Sequence, residues 1–351
     1  MRTPTPLRSI LVAALATAIA CLAPATNATA ATATNNPDFT ANAMAPLWVS
    51  PADMATFESQ IQTAKEYGVD AISVDVWWGK VETADQVFDW SYYDTLFNKI
   101  KAHGLKIVPI LSFHACGGNV GDDCDFPIPN WLWGKYTGAT LNGVTLDGNS
   151  LKYLSEQQHY STETAQVWAD PLVVGEYSAF ATAFRTRYAT TYAADLQEIN
   201  VSLGPAGELR YPSYNYHDTG AGYPSRGALQ AYSPLAKASL RSAIMAKYGT
   251  LAAVKAAWGT SLTSTNQINP PDNAGLFFSS GAYKNIQYGK DFIDWYNQSL
   301  ITHGKTVLDA VSSALGTSFG STPLGYKVPG VHWATNNPAY PRAAEAAAGL
   351  I

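Results

Sequence analysis

One carboxylate stands apart in this chain. Glu208 lies in Gly204-Pro205-Ala206-Gly207-Glu208-Leu209-Arg210-Tyr211-Pro212-Ser213-Tyr214, directly after the strand-like segment 199–203. Glycine and proline let the backbone turn sharply there, so Glu208 projects from the end of a strand. Tyrosines and an arginine beside an acid suit a site that stacks sugar rings and sets a carboxyl group's protonation. An isolated Gly-Glu turn is more often merely solvated, so the other polar residues decide. In Ser73-Val74-Asp75-Val76-Trp77-Trp78-Gly79, period-two alternation puts Ser73 and Asp75 on one face and Ile72, Val74 and Val76 on the other. A buried acid costs free energy unless it finds polar partners, which marks Asp75 as more than a helix cap. In Ser112-Phe113-His114-Ala115-Cys116-Gly117-Gly118-Asn119-Val120-Gly121-Asp122, a histidine ends a strand and an acid rides a glycine-hinged loop. Each alone reads as structural; with Asp75 they read as hydrogen-bond partners for hydroxyl groups.

These groups need elements to hold them. Strand-like and helix-like stretches alternate from about residue 45. Strands are expected at 45–50, 71–78, 107–113, 198–203 and 326–333. Helices are expected at 54–67, 92–103, 173–192, 235–248 and 288–315, with a long Gly- and Asn-rich excursion over 117–170. Such alternation argues for parallel α/β architecture. Asp75, His114, Glu208 and His332 all fall at or just beyond the C-terminal ends of strand segments, where a (β/α)8 TIM barrel gathers its chemistry. A doubly wound sheet also binds ligands at strand ends, but no G-x-G-x-x-G turn follows the first strand and no Walker-type loop is present. The barrel is the expectation, with only about the first five βα units in this chain. The remaining three are expected beyond Ile351, which makes residues 34–351 an incomplete catalytic barrel.

The N-terminus reads as a secretory signal over residues 1–33. Arg2 and Arg8 precede an apolar run, and Ala28-Thr29-Ala30 and Ala31-Thr32-Ala33 offer cleavage sites. A secreted, extracellular protein with no membrane span is expected. Loss of the leader takes the formal charge two units below the −5 of the whole chain, which offers no field for nucleic acid. The 20 tyrosines and 10 tryptophans beside 14% charged residues fit either an aromatic core or a carbohydrate cleft. In an exported protein, Cys116 and Cys124 are expected to form a disulfide, worth about 2.6 kcal/mol by loop entropy. A lone cysteine pair lacks the further ligands of a zinc site.

The segments 74–79, 112–122, 204–214 and 329–333 resemble, in order, the signature blocks of the β-amylases, glycoside hydrolase family 14, and especially its bacterial members. The resemblance runs from about residue 45 to the last residue. It implies a (β/α)8 barrel that hydrolyses α-1,4-glucan in starch, glycogen or maltooligosaccharides from the non-reducing end, releasing β-maltose with inversion. By resemblance, Glu208 matches the general acid. Asp75, His114, Asp122, Lys327 and His332 match substrate contacts, and the loop carrying Asp122 matches a mobile lid. The chemistry requires no cofactor. A structural calcium ion is implied in part: Glu82, Asp85, Gln86 and Glu176 resemble its ligands, while one acidic counterpart is replaced near Ala179. An inverting glycosidase needs a second carboxyl group to activate water. The family's second glutamate is expected beyond Ile351, so this chain, a monomer, is expected to have little activity of its own. Two alternatives stay open: a retaining barrel glycosidase, and a non-catalytic α-glucan-binding protein.

Overall fold

Parallel pairing in sequence order defines the architecture. Five strands form one sheet: β1 (Asn42–Met44), β2 (Ala71–Trp77), β3 (Lys106–Ser112), β4 (Ile199–Val201) and β5 (Leu324–Tyr326). Each pairs in parallel with the next, as in Ala71↔Lys106 through Trp77↔Ser112 and Ile199↔Leu324 through Val201↔Tyr326. A doubly wound sheet would reverse its strand order at a switch point. Here the order never reverses, which is the winding of a (β/α) barrel. The computed structural model describes residues 39–117, 124–222, 225–330 and 342–350. The chain divides into the units Met1–Phe39 and Thr40–Ile351, and the sheet and its helices belong to the second. The expected leader, Asp122 and His332 lie outside the described residues.

Helices fill the crossovers: α1 (Met54–Glu66), α2 (Ser91–Ala102), α3 (Asp170–Tyr192), α4 (Pro234–Tyr248), α5 (Leu251–Trp258) and α6 (Gln287–Leu315). Their buried residues recur at helical spacing, Tyr93, Leu96, Phe97 and Ile100 in α2 and Tyr177, Phe180, Phe184, Tyr188 and Tyr192 in α3. Burying each large apolar side chain contributes roughly 1.5–3 kcal/mol. Ile72, Val74 and Val76 of β2 lie in the same core as these helix residues. Pro171 sits in the first turn of α3, where its missing N–H costs nothing. Ser233 caps α4 by accepting from the Ala236 amide, and Thr250 caps α5 through the Ala253 amide. Among the described residues no helix is long and apolar enough to cross a membrane.

The first and fifth strands depart from expectation. β1 ends at Met44, before the expected start at residue 45. The Ala45 amide still donates to Ser73 at 2.8 Å, but Pro46 has no N–H to continue the ladder. Residues beyond it turn instead, with Trp48 stacked on Tyr92 at 3.8 Å and the Leu47 carbonyl accepting from the Trp77 indole. β5 spans Leu324–Tyr326, and Lys327 adds only an isolated bridge to Glu208. Pro329, without a donor, comes two residues later. The excursion after β3 contains the two-residue hairpin strands Thr140–Leu141 and Val144–Thr145, and the pair Lys152–Leu154 with Tyr160–Ala165.

Candidate active site

A strained turn carries Glu208. Ala206 has a left-handed backbone, φ 55° and ψ 20°, and Gly207 is next at φ 78°. For a residue with a Cβ this conformation costs about 1–2 kcal/mol, and such strain concentrates at functional sites. Gly204 is required for a different reason: a Cβ there would meet the carbonyl oxygens of Glu208 and Arg210 at 2.4 and 2.6 Å. The turn is anchored to the edge of β5, where the Leu209 amide donates to the Lys327 carbonyl at 3.1 Å. The Lys327 ammonium returns a bond to the Ala206 carbonyl at 3.2 Å. Glu208 is partly exposed, its side chain at 24%, and Oε2 accepts from Nε of the buried Arg210 at 2.7 Å.

Beside the turn is a cavity of about 240 Å³ lined by Met44, Leu47, Asp75, Trp77, His114, Ala206 and Lys327, with Ala115 and Cys116 at its wall. Each of the five strands contributes, directly or through the residues after it. Three of the expected substrate contacts thus come together. Asp75 is buried, and its Oδ1 accepts from the Ser112 hydroxyl at 2.7 Å. Burial pushes its carboxyl above the ordinary range, against the Ser112 bond and the Lys327 charge. The His114 Nδ1 lies 2.8 Å from the Ser202 hydroxyl, and its ring meets Trp77 edge-on at 5.1 Å. Burial, then the cations of Lys327 and Arg210, lower its pKa to about 3, so the imidazole is neutral at physiological pH. A neutral ring and an acceptor carboxylate are a pair that sugar hydroxyls can bridge. Cys116 and Cys124 are joined by a disulfide with Cα atoms 5.6 Å apart, closing the wall beside Ala115.

Sequence reasoning missed Ser112 and Ser202, the side chains that orient Asp75 and His114. Both are small polar residues at strand ends, a signal too common to stand out. It also misplaced the tyrosines. Tyr211 is fully buried, stacked on Tyr296 at 3.9 Å, with its hydroxyl donating to the Tyr296 carbonyl at 2.8 Å. The aromatic flank of Glu208 is thus partly core; Trp77 is the ring that lines the cavity. A larger cavity of about 730 Å³, lined by Trp168, Asp170, Trp295 and His303, holds none of the expected site residues.

The expected calcium ligands cluster elsewhere, between the turn after β2 and the first half of α3. Both Glu82 oxygens are engaged, Oε2 by the Trp78 indole at 2.6 Å and Oε1 by the Gln86 amide at 2.8 Å. Burial raises the Glu82 carboxyl above its ordinary range, those two bonds oppose it, and Asp85 and Glu176 add to it. The ammonium of Lys135 lies 2.9 Å from Asp85 Oδ1 and 2.8 Å from Glu176 Oε1. Among the described residues no group of three His, Cys, Asp or Glu is disposed to hold a metal ion. As arranged, the donor set fits an ammonium and does not fit calcium, which takes six to eight oxygens.

A family model described as Glycosyl hydrolase family 14 matches residues 45–351. The chain is 42% identical over 314 residues to a beta-amylase of Niallia circulans, covering 89% of this chain and 52% of that protein. It is equally 42% identical to a thermophilic beta-amylase of Thermoanaerobacterium thermosulfurigenes, covering 89% and 54%. The chain thus spans about half the length of these relatives. The crystal structure of the catalytic domain of a beta-amylase from Paenibacillus polymyxa superposes with a TM-score of 0.80 at 42% identity, over 89% of this chain and 71% of that one. A beta-galactosidase from Marinomonas, 13% identical with a TM-score of 0.53, shares the fold alone.

Proposed function

Because the chain belongs to glycosyl hydrolase family 14, we propose that it binds α-1,4-glucans and carries the proton donor of a β-amylase that releases β-maltose from their non-reducing ends. The substrates are starch, glycogen and maltooligosaccharides. One observation carries this reading: Asp75, His114 and Lys327, from three different strands, converge on one cavity beside the strained turn of Glu208. In this reading Asp75, His114 and Lys327 bind sugar hydroxyls, with Asp122 and His332 as further contacts, and Trp77 faces a sugar ring. Glu208 gives its proton to the glycosidic oxygen as the bond from the anomeric carbon to that oxygen breaks. Water, having lost a proton to a second carboxylate, bonds the anomeric carbon from the opposite face, which inverts it. We assign the acid alone. The leader of residues 1–33 is taken to export the protein.

The test has two parts. In a chain completed to carry the second carboxylate, proton NMR of a maltooligosaccharide digest is expected to show maltose emerging as the β-anomer; the α-anomer, or glucose, would overturn the reading. Glu208→Gln is expected to lower maltose release by at least about 100-fold while calorimetry shows maltooligosaccharide binding intact. Activity retained in that variant would remove Glu208 from the acid role. A second reading is favoured by the 2.7 Å ion pair between Arg210 and Glu208, which engages the carboxyl with a neighbouring cation. On that reading the protein binds glucan without cleaving it, and binding with no maltose released by the chain completed with the second carboxylate would select it.

A further inference from the structure

The turn after β2 and helix α3 are tied together by one side chain. Lys135 ends the short helix Leu132–Lys135, and its ammonium bridges Asp85 on the turn and the buried Glu176 on α3. Its position is held from several sides. The ring of Trp131 lies 5.1 Å from the ammonium, and the Trp131 indole donates to the Glu82 carbonyl at 3.2 Å. The Tyr136 hydroxyl, next in sequence, donates to the same Glu176 oxygen. Gln86 adopts a left-handed backbone, φ 61°, which aims its amide at Glu82. Every carboxylate of the cluster is therefore already met by a donor from the chain. Ala179, one helical turn beyond Glu176, carries a methyl group and brings no further oxygen donor to that stretch of α3.

We propose that the Lys135 ammonium is a built-in substitute for a divalent ion, clamping Asp85 to Glu176 so that this part of the fold is independent of calcium. A lysine ammonium is a compact charge with three donors, suited to two carboxylates at 2.8–2.9 Å. A calcium ion in the same place would have to displace it and would still lack ligands.

Thermal unfolding of the full chain tests this. The melting temperature of the unmodified protein, and its calcium content after dialysis, are expected to be unaffected by excess EGTA or by millimolar calcium chloride. A fall with EGTA that calcium reverses would overturn the proposal. Lys135→Met is expected to melt roughly 5 °C lower, because it leaves two carboxylates facing each other. Lys135→Arg, which keeps the cation, is expected to lose less. The double variant Lys135→Met, Ala179→Glu is expected to melt higher when calcium is added, as a ligand binding only the folded state requires. A Lys135→Met protein as stable as the unmodified one would equally overturn the proposal, and if that variant does not fold, the EGTA titration of the unmodified chain decides.

Discussion

Asp75 and His114 are held by serines of the neighbouring strands, and that pairing governs how the site answers to pH. The folded protein holds His114 at about 3, whereas an unfolded histidine titrates near 6.5. Between those values the unfolded chain takes up a proton that the folded chain refuses. The contribution of His114 to stability is thus full above about pH 6.5 and is lost as pH falls, at up to about 1.4 kcal/mol per unit. Asp75, raised by burial, acts in the opposite sense: its burden on the fold grows as pH climbs through the carboxylate range. Comparing the unmodified protein with His114→Asn isolates the histidine. The stability gap between them, from urea unfolding, is expected to narrow as pH drops from about 6.5 to about 4.5. A constant gap would mean that His114 is not buried neutral. The family resemblance supplied Lys327, and residue types at strand ends made Glu208, Asp75 and His114 legible in the sequence. The partners were not, because Ser112, Ser202 and the Arg210–Glu208 contact depend on side-chain directions that spacing does not fix.

Elements with a long period were legible, and short ones were not. The β2 and β3 strands and α1, α2, α3, α4 and α6 lie within a few residues of their expected bounds, since alternation or helical spacing repeats many times in each. β1 and β5 slipped because hydrophobic character continues through Pro46 and up to Pro329 while hydrogen bonding does not. Two- and three-residue strands such as Thr140–Leu141 carry too little pattern to read. The turn 204–207 is the element on which the acid depends, and it leaves no room at its first residue. Gly204→Ala would press a methyl against two carbonyl oxygens at 2.4 and 2.6 Å. It is expected to destabilise the protein by about 2–4 kcal/mol and to weaken maltooligosaccharide binding, as read by calorimetry and chemical denaturation. A fully stable Gly204→Ala protein with unchanged affinity would show that the turn relaxes freely.

Across the whole molecule, the aromatic content of the sequence is mostly core. One column runs through Trp168, Tyr211, Tyr296 and Phe292, with Tyr211–Tyr296 and Phe292–Tyr296 stacked at 3.9 and 5.8 Å. Composition alone left core and cleft equally open; burial assigns these rings to the core. Tyr211→Ala is expected to cost about 3–5 kcal/mol and Tyr211→Phe about 1 kcal/mol, with sugar affinity of the phenylalanine variant unchanged. Loss of affinity at undiminished stability would instead make Tyr211 a ligand contact. The order of the five strands has a last consequence. Because every one of them supplies part of the cavity wall, no sub-assembly of the sheet presents a complete receptor. Occupancy by a small saccharide would then act as a proofreader of assembly, raising the unfolding temperature of all four crossovers together and leaving half-folded chains unrewarded.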